Sequence, residues 1–271
     1  SLYHITFLIG APTVIDMLCR IQETNPRDIS SLHGIVLMGS PLDKEPCKRY
    51  MKVLTPNIFN GYGTTETFWN VFLRPYDLPD KAGYAGGACT DDDVRVVRVD
   101  TTKHVSPDEL VPMDKETVGE VVIFAPNKST FAYYDNPKTT EEKFHNGWLY
   151  TGDLATWDEH AYITIIGRKD DMIVSAGENI YPVQVESILN EHPKVAESLV
   201  FGIPDPKRGS VIAALIRPSD PSLTEKEMKQ FCMNHPMLAP YKRPRIFRFV
   251  KELPHNATGK LLHKLPPDFK F

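Results

Sequence analysis

Apolar runs and amphipathic segments alternate through the first 60 residues, and that alternation restricts the fold more than any other feature of the chain. Apolar runs at 5–9 and 34–38 and an extended run from about 57 are separated by helix-periodic segments at 13–24 and 44–54. This β-α-β-α-β order predicts parallel strands with helices on the sheet faces. From Val94 the period changes. VRVVRVD alternates every second residue, and GEVVIFA and AYITIIG follow as strands, which predicts a smaller β-rich subdomain whose sheets have one polar face. Beyond Gly167 the charged run Arg168-Lys169-Asp170-Asp171 introduces another α/β pattern. Pro182 opens a helix to about 191, strands follow at 196–201 and 211–216, Thr224 caps a helix to about 235, and a last strand covers 246–250. The chain therefore reads as α/β in two parts, 1–168 and 169–271, the second with apolar faces of its own.

Composition excludes several partners. The 35 acidic and 31 basic side chains give a net charge of -4 and are interleaved rather than blocked, which argues against nucleic acid. No apolar run approaches the roughly 18 residues of a membrane span, and the start lacks the basic region of a secretion signal. Cys19, Cys47, Cys89 and Cys232 lie far apart without a C-x-x-C pair, the pattern of reduced thiols in a cytoplasmic protein. Ser1 runs almost directly into the first strand, which implies a natural start upstream.

Four polar segments carry chemistry. GYGTTET, residues 61–67, follows a strand. Its glycines admit a close ligand, its hydroxyls suit phosphate oxygens and its carboxylate suits Mg²⁺; a hairpin-like turn with polar decoration explains the same residues equally well. YTGDL, residues 150–154, puts Asp153 in a Thr-Gly-Asp turn, as an acceptor for ribose hydroxyls or simply as a turn former. GRKDDMIVSAGENIYP reads as a hinge followed by a glycine loop, against the commoner solvated linker. LPHNATGKLL ends a polar loop in Gly259-Lys260, a cation that can meet developing negative charge, although most surface lysines do not.

In this order the segments resemble the core motifs of the adenylate-forming superfamily: acyl- and aryl-CoA synthetases, peptide-synthetase adenylation domains and firefly luciferase. The resemblance runs from near residue 4 to about 265. It implies adenine on Tyr62, phosphates on Thr65 with Gly61, Gly63 and Thr64 around them, and Mg²⁺ on Glu66. MGSPL is similar to the segment lining the acyl and adenine pocket, implicating Gly39 and Ser40, and Gly119-Glu120 starts the next family segment. The resemblance also implies Asp153 on the ribose, Arg168 near ribose and phosphate, Asp170 as hinge, Ser175, Gly177 and Glu178 beside the pantetheine of coenzyme A, and Lys260 as the lysine of adenylation. His263, Val174 and Gln184 depart from the usual Arg or Lys, Lys, and Glu. The family's phosphate loop has no counterpart, so the chain is expected to be a fragment: the end of a large N-terminal domain plus the small mobile α+β C-terminal domain.

The activity implied is ATP- and Mg²⁺-dependent conversion of a carboxylic acid to acyl-AMP and transfer to coenzyme A, with the fragment alone inactive. YGTTE lacks the Pro that many peptide-synthetase domains carry after Gly63, which favours a CoA ligase over a carrier-protein adenylation domain; a non-catalytic nucleotide- or CoA-binding module is the remaining alternative. The acid pocket expected around Ile9, Met38, Gly39, Phe68 and Trp69 is partly apolar.

Overall fold

The computed structural model describes residues 3–255 and 261–263. They divide into two compact units between Ile165 and Ile166.

In the first unit, β1 (Phe7–Gly10), α1 (Pro12–Thr24), β2 (Gly34–Met38), α2 (Lys44–Val53) and β3 (Ile58–Thr64) form the expected alternation. Pro12 suits the first turn of α1, where its missing N–H has no partner to lose. Ile15 and Cys19, one turn apart, are the buried face of α1, and Cys47 and Tyr50 are that of α2. Tyr50 donates from its hydroxyl to the Pro12 carbonyl at 3.1 Å and joins the helices. Both pack over Ile35, Leu37 and Ile58, each fully buried and worth about 1.5–3 kcal/mol. β1, β2 and β3 are parallel, with Ile9 beside Val36, Val36 beside Phe59 and Met38 beside Gly61. Their C-terminal ends therefore lie along one edge. β4 (Phe68–Leu73) returns antiparallel to β3, and β5 (Gly87–Ala88) completes the order β1-β2-β3-β4-β5.

A second sheet holds β6 (Asp93–Val97) and β7 (Gly119–Phe124); after α3 (Pro137–Lys143) come β8 (Phe144–His145), β9 (Trp148–Trp157) and β10 (Ile163–Arg168). Its order is β10-β9-β7-β6, with β8 on β9, and Val96, Val121, Ile123, Leu149 and Ala155 are in its core. Residues 150–154 are not a turn, as the Thr-Gly-Asp sequence predicts, but the middle of β9. The register slips there: Tyr150 faces Val122 and Leu154 faces Glu120, and Gly152 takes the extra backbone at φ +74°. A bulge uses the same residue types as a turn, since both need one left-handed position.

The second unit begins with the hairpin β11 (Ile173–Ser175) and β12 (Glu178–Ile180), then α4 (Pro182–Leu189), the long pair β13 (Val195–Asp205) and β14 (Gly209–Pro218), α5 (Glu225–Asn234) and β15 (Ile246–Phe249). β14 pairs antiparallel with β13 and parallel with β15. Thr224 caps α5 by accepting from the Glu227 amide at 3.2 Å. Val185 and Leu189 of α4 and Met228 and Cys232 of α5 share one core with Val200, Ile212 and Ile216. Burial pushes the Cys47 and Cys232 thiols up to about 11, so neither is a reactive thiolate near neutrality.

The two sheets of the first unit meet at Gly86, whose carbonyl accepts from Ile163 N at 2.9 Å. Gly86 has φ +123°, and a Cβ there would lie 2.1 Å from the Phe72 carbonyl carbon. Gly86→Ala is expected to destabilise the first unit by about 3 kcal/mol. All three tryptophans, Trp69, Trp148 and Trp157, are in that unit, so a urea titration followed by tryptophan fluorescence reads the effect directly.

Candidate functional site

The end of β3 and the turn after it present the residues of GYGTTET. Gly61, Tyr62, Gly63 and Thr64 lie in β3; Thr65, Glu66 and Thr67 turn the chain; and Phe68 opens β4 in the left-handed region at φ +58°. The register slips between Tyr62, opposite Val71, and Gly63, opposite Trp69. The strands close so tightly that a Cβ on Gly63 would stand 1.8 Å from the Phe68 carbonyl oxygen, so only glycine fits. The segment is thus a hairpin turn, and it also sits at the C-terminal end of a parallel strand, where open α/β sheets bind ligands. Gly39, at φ +85°, and Ser40 follow β2 at the same edge, next to exposed Met38.

Tyr62 reaches the second sheet. Its hydroxyl donates to Asp153 Oδ2 at 2.6 Å, which joins two residues 91 positions apart. Asp153 is set by the β9 bulge. Its amide donates to Thr151 Oγ1 at 2.9 Å, and the neighbouring Gly152 amide donates to Glu120 Oε1 at 3.2 Å. Glu120 is 5% exposed, and a Cβ on Gly119 would lie 2.4 Å from the Val97 carbonyl. The Gly119-Glu120 pair is therefore a support for Asp153: glycine lets β6 and β7 close, and the buried carboxylate fixes the bulge.

Glu66 accepts a short hydrogen bond from the Tyr133 hydroxyl. Burial pushes its carboxyl up, but the bonds from Tyr133, its own backbone and the Thr64 hydroxyl, with the charge of Lys143, outweigh this, and the carboxyl titrates below the ordinary 4.5. Tyr133 is held in turn by its amide on Thr140 Oγ1 at 2.9 Å, beside the Asn136 cap of α3. Sequence reading passed over Tyr133. It lies in FAYYDNPKTT, whose only local signal is the Asn-Pro start of a helix. Among the described residues no three His, Cys, Asp or Glu side chains are grouped to hold a metal. Glu66 offers a single ionised carboxylate, the donor set of a Mg²⁺ that takes its remaining oxygens from phosphates and water.

The other predicted residues belong to the second unit or lie outside the described residues. Arg168 is at the end of β10, with Nη2 4.0 Å from the exposed carboxylate of Asp170 in a helical turn, Lys169–Asp171. Ser175 and Glu178 end the strands of the β11–β12 hairpin, and Ala176 and Gly177 turn it at φ +52° and +86°. The Ser175 hydroxyl donates to the Ser210 carbonyl at 2.7 Å, tying the hairpin to β14, while space beside Gly177 is open. Lys260 lies outside the described residues. On either side of its segment, His255 bridges Leu261, and His263 Nε2 lies 3.0 Å from buried Glu186.

Comparison with known proteins agrees with this layout. The model of the AMP-binding enzyme matches residues 2–134, and that of the AMP-binding enzyme C-terminal domain matches 184–260. The chain belongs to the AMP-binding enzyme family. It is 32% identical over 262 residues to a long-chain-fatty-acid–CoA ligase of Escherichia coli O157:H7, an alignment covering 97% of this chain and 45% of the relative. It is 37% identical over 251 residues to a 2-succinylbenzoate–CoA ligase of Bacillus cereus, covering 92% of this chain and 48% of the relative. This AMP-binding chain thus spans about half the length of the relatives it matches. Among solved structures, the o-succinylbenzoate CoA synthetase of Bacillus subtilis with its acyl-adenylate intermediate superposes with a TM-score of 0.81 at 32% identity, over 99% of this chain and 52% of that one.

Tyr133→Phe removes a donor from Glu66, so the carboxyl is expected to move up toward the ordinary glutamate value in a ¹³C NMR titration. A depressed folded value contributes stability that is present above the unfolded value and is lost as pH falls through the folded one. The wild-type chain should therefore lose more stability between pH 5 and pH 3 than Tyr133→Phe does, as read by urea midpoints across that range.

Proposed function

We propose that the protein to which this chain contributes is an AMP-forming acid–thiol ligase, which activates a carboxylic acid with ATP and passes it to coenzyme A. The Tyr62–Asp153 contact at the edge where the parallel strands end carries this reading. It puts an aromatic face and an ionisable acceptor together at one place, one turn from Glu66. In the proposal Tyr62 bears the adenine, Gly39 and Ser40 line the pocket, and Asp153 accepts from the ribose hydroxyls. A carboxylate has about four lone-pair positions, so accepting from Tyr62 and from a ribose are compatible. Gly61, Gly63 and Thr64 shape the turn that brings Thr65 to the phosphates, and Arg168 serves ribose and phosphate.

Carboxylate and triphosphate repel each other, so the first half-reaction depends on screening. The acid oxygen attacks the α-phosphorus, the bond to the β-phosphate oxygen breaks, and pyrophosphate leaves. Bound Mg²⁺ screens the phosphates; Glu66 holds it from the protein side. Lys260 neutralises charge developing in the transition state. In the second half-reaction the thiol sulfur attacks the acyl carbon and AMP leaves with the electron pair of the broken C–O bond. Asp170 is the hinge between the two arrangements, and Ser175, Gly177 and Glu178 belong to the thiol side. The relatives are named for acids as different as long-chain fatty acids, 4-chlorobenzoate and 2-succinylbenzoate, so the reading extends to a carboxylic acid and no further. The localisation proposed is cytoplasmic.

Incubated with ATP, Mg²⁺ and a panel of acids, the 271-residue chain is expected to release no pyrophosphate, because half of the family fold is absent from it; turnover would overturn that expectation. In the whole enzyme, Lys260→Ala should slow acyl-adenylate formation by about 10²–10³ while thiolysis of a supplied acyl-adenylate continues. Asp170→Pro should do the reverse, sparing adenylation and blocking transfer, with rapid-quench measurement of the two half-reactions separating them.

A further inference from the structure

The β3–β4 turn rests on a chain of buried polar groups that the nucleotide motif does not include. Thr67 is 1% and Asn70 0% exposed, and the Asp92 side chain is 1% exposed. Thr64 Oγ1 lies 3.0 Å from Thr67 Oγ1, and Thr67 Oγ1 donates to Asn70 Oδ1 at 2.7 Å. Asn70 Nδ2 donates to Asp92 Oδ2 at 3.0 Å and to the Thr67 carbonyl at 3.2 Å. Lys128 Nζ closes the chain, 2.6 Å from Asp92 Oδ2 and 2.7 Å from the Trp69 carbonyl. Asp92 Oδ1 is buried with no hydrogen-bond partner among the described residues, so this carboxylate depends on Lys128 and Asn70.

The hydrogens in this chain have one consistent direction. Asp92, a carboxylate beside a lysine, can only accept, so Asn70 turns its NH₂ toward it and its oxygen toward Thr67. The single Thr67 proton is then used on Asn70. Thr64 Oγ1 lies against this end of the chain, and the Thr64 hydroxyl also hydrogen-bonds the Glu66 carboxylate, so the buried chain reaches Glu66 through Thr64. Buried polar chains are costly unless fully paired, and when paired they select one geometry. The same loop after β7 grips the turn twice, with Lys128 from behind and Tyr133 on Glu66.

We infer that Thr67, Asn70, Asp92 and Lys128 are positioning residues, which fix the turn carrying Thr65 and Glu66. This rests on the proposed nucleotide role of the turn only for its function; the positioning itself is testable without nucleotide. Thr65 is on the exposed side of the turn that these residues fix.

Hydrogen–deuterium exchange on the 271-residue chain tests the inference. Thr67→Val, nearly isosteric, should raise exchange in peptides covering the turn by roughly fivefold or more, leave β7 and β9 peptides at the wild-type rate, and be reversed by Thr67→Ser, which keeps the hydroxyl. Lys128→Met alone leaves a buried charge unpaired and endangers folding, so it is combined with Asp92→Asn; the neutral pair should loosen the same peptides. Wild-type exchange at the turn in both variants, or a uniform rise across the first unit that Thr67→Ser does not reverse, overturns the assignment. Failure of the ligase reading would show as absent acyl-adenylate formation by the whole enzyme with this exchange pattern intact.

Discussion

The register that sets Met38 beside Gly61 brings the ends of β2 and β3 to a common edge, and the rest of the site is arranged around that edge. Parallel strands can be aligned in this way only if helices carry the chain back across the sheet. α1 and α2 do so, and their buried stripes, Ile15 with Cys19 and Cys47 with Tyr50, hold the strands in register from one face. A slip of one residue would turn Ile35 and Leu37 out of the core and displace the turn that carries Thr65 and Glu66.

From that edge the site is completed by elements of different origin. A hairpin too tight for any side chain at Gly63 projects the turn, and a bulge in β9 projects Asp153 toward it. Each is supported by a buried carboxylate. Glu120 holds the bulge through the Gly152 amide, and Asp92 holds the hairpin through Asn70 and Lys128. In both places a buried carboxyl group accepts from donors on neighbouring segments, an arrangement that specifies geometry more than it adds stability.

The second unit is a separate body with its own core between two helices and three strands. Its β11–β12 turn, left-handed at Ala176 and Gly177, is held from behind by Ser175 on β14, so that its open side is backbone. A turn of this kind lets a ligand approach the main chain closely, which suits the thiol-side role proposed for it.

The sequence by itself determined the alternation of strands and helices, the cap of α5, the change to period two after Val94 and the order of the family motifs, because each is written in neighbouring residues. It did not determine that Thr-Gly-Asp is a bulge inside a strand, since a bulge and a turn ask for the same glycine locally and only the partner strand β7 distinguishes them. Nor could it supply the partners. Tyr62 finds Asp153 across 91 residues and Tyr133 finds Glu66 across 67, distances at which no sequence period survives. Local physics chose the elements; packing two sheets against one another chose which side chains meet.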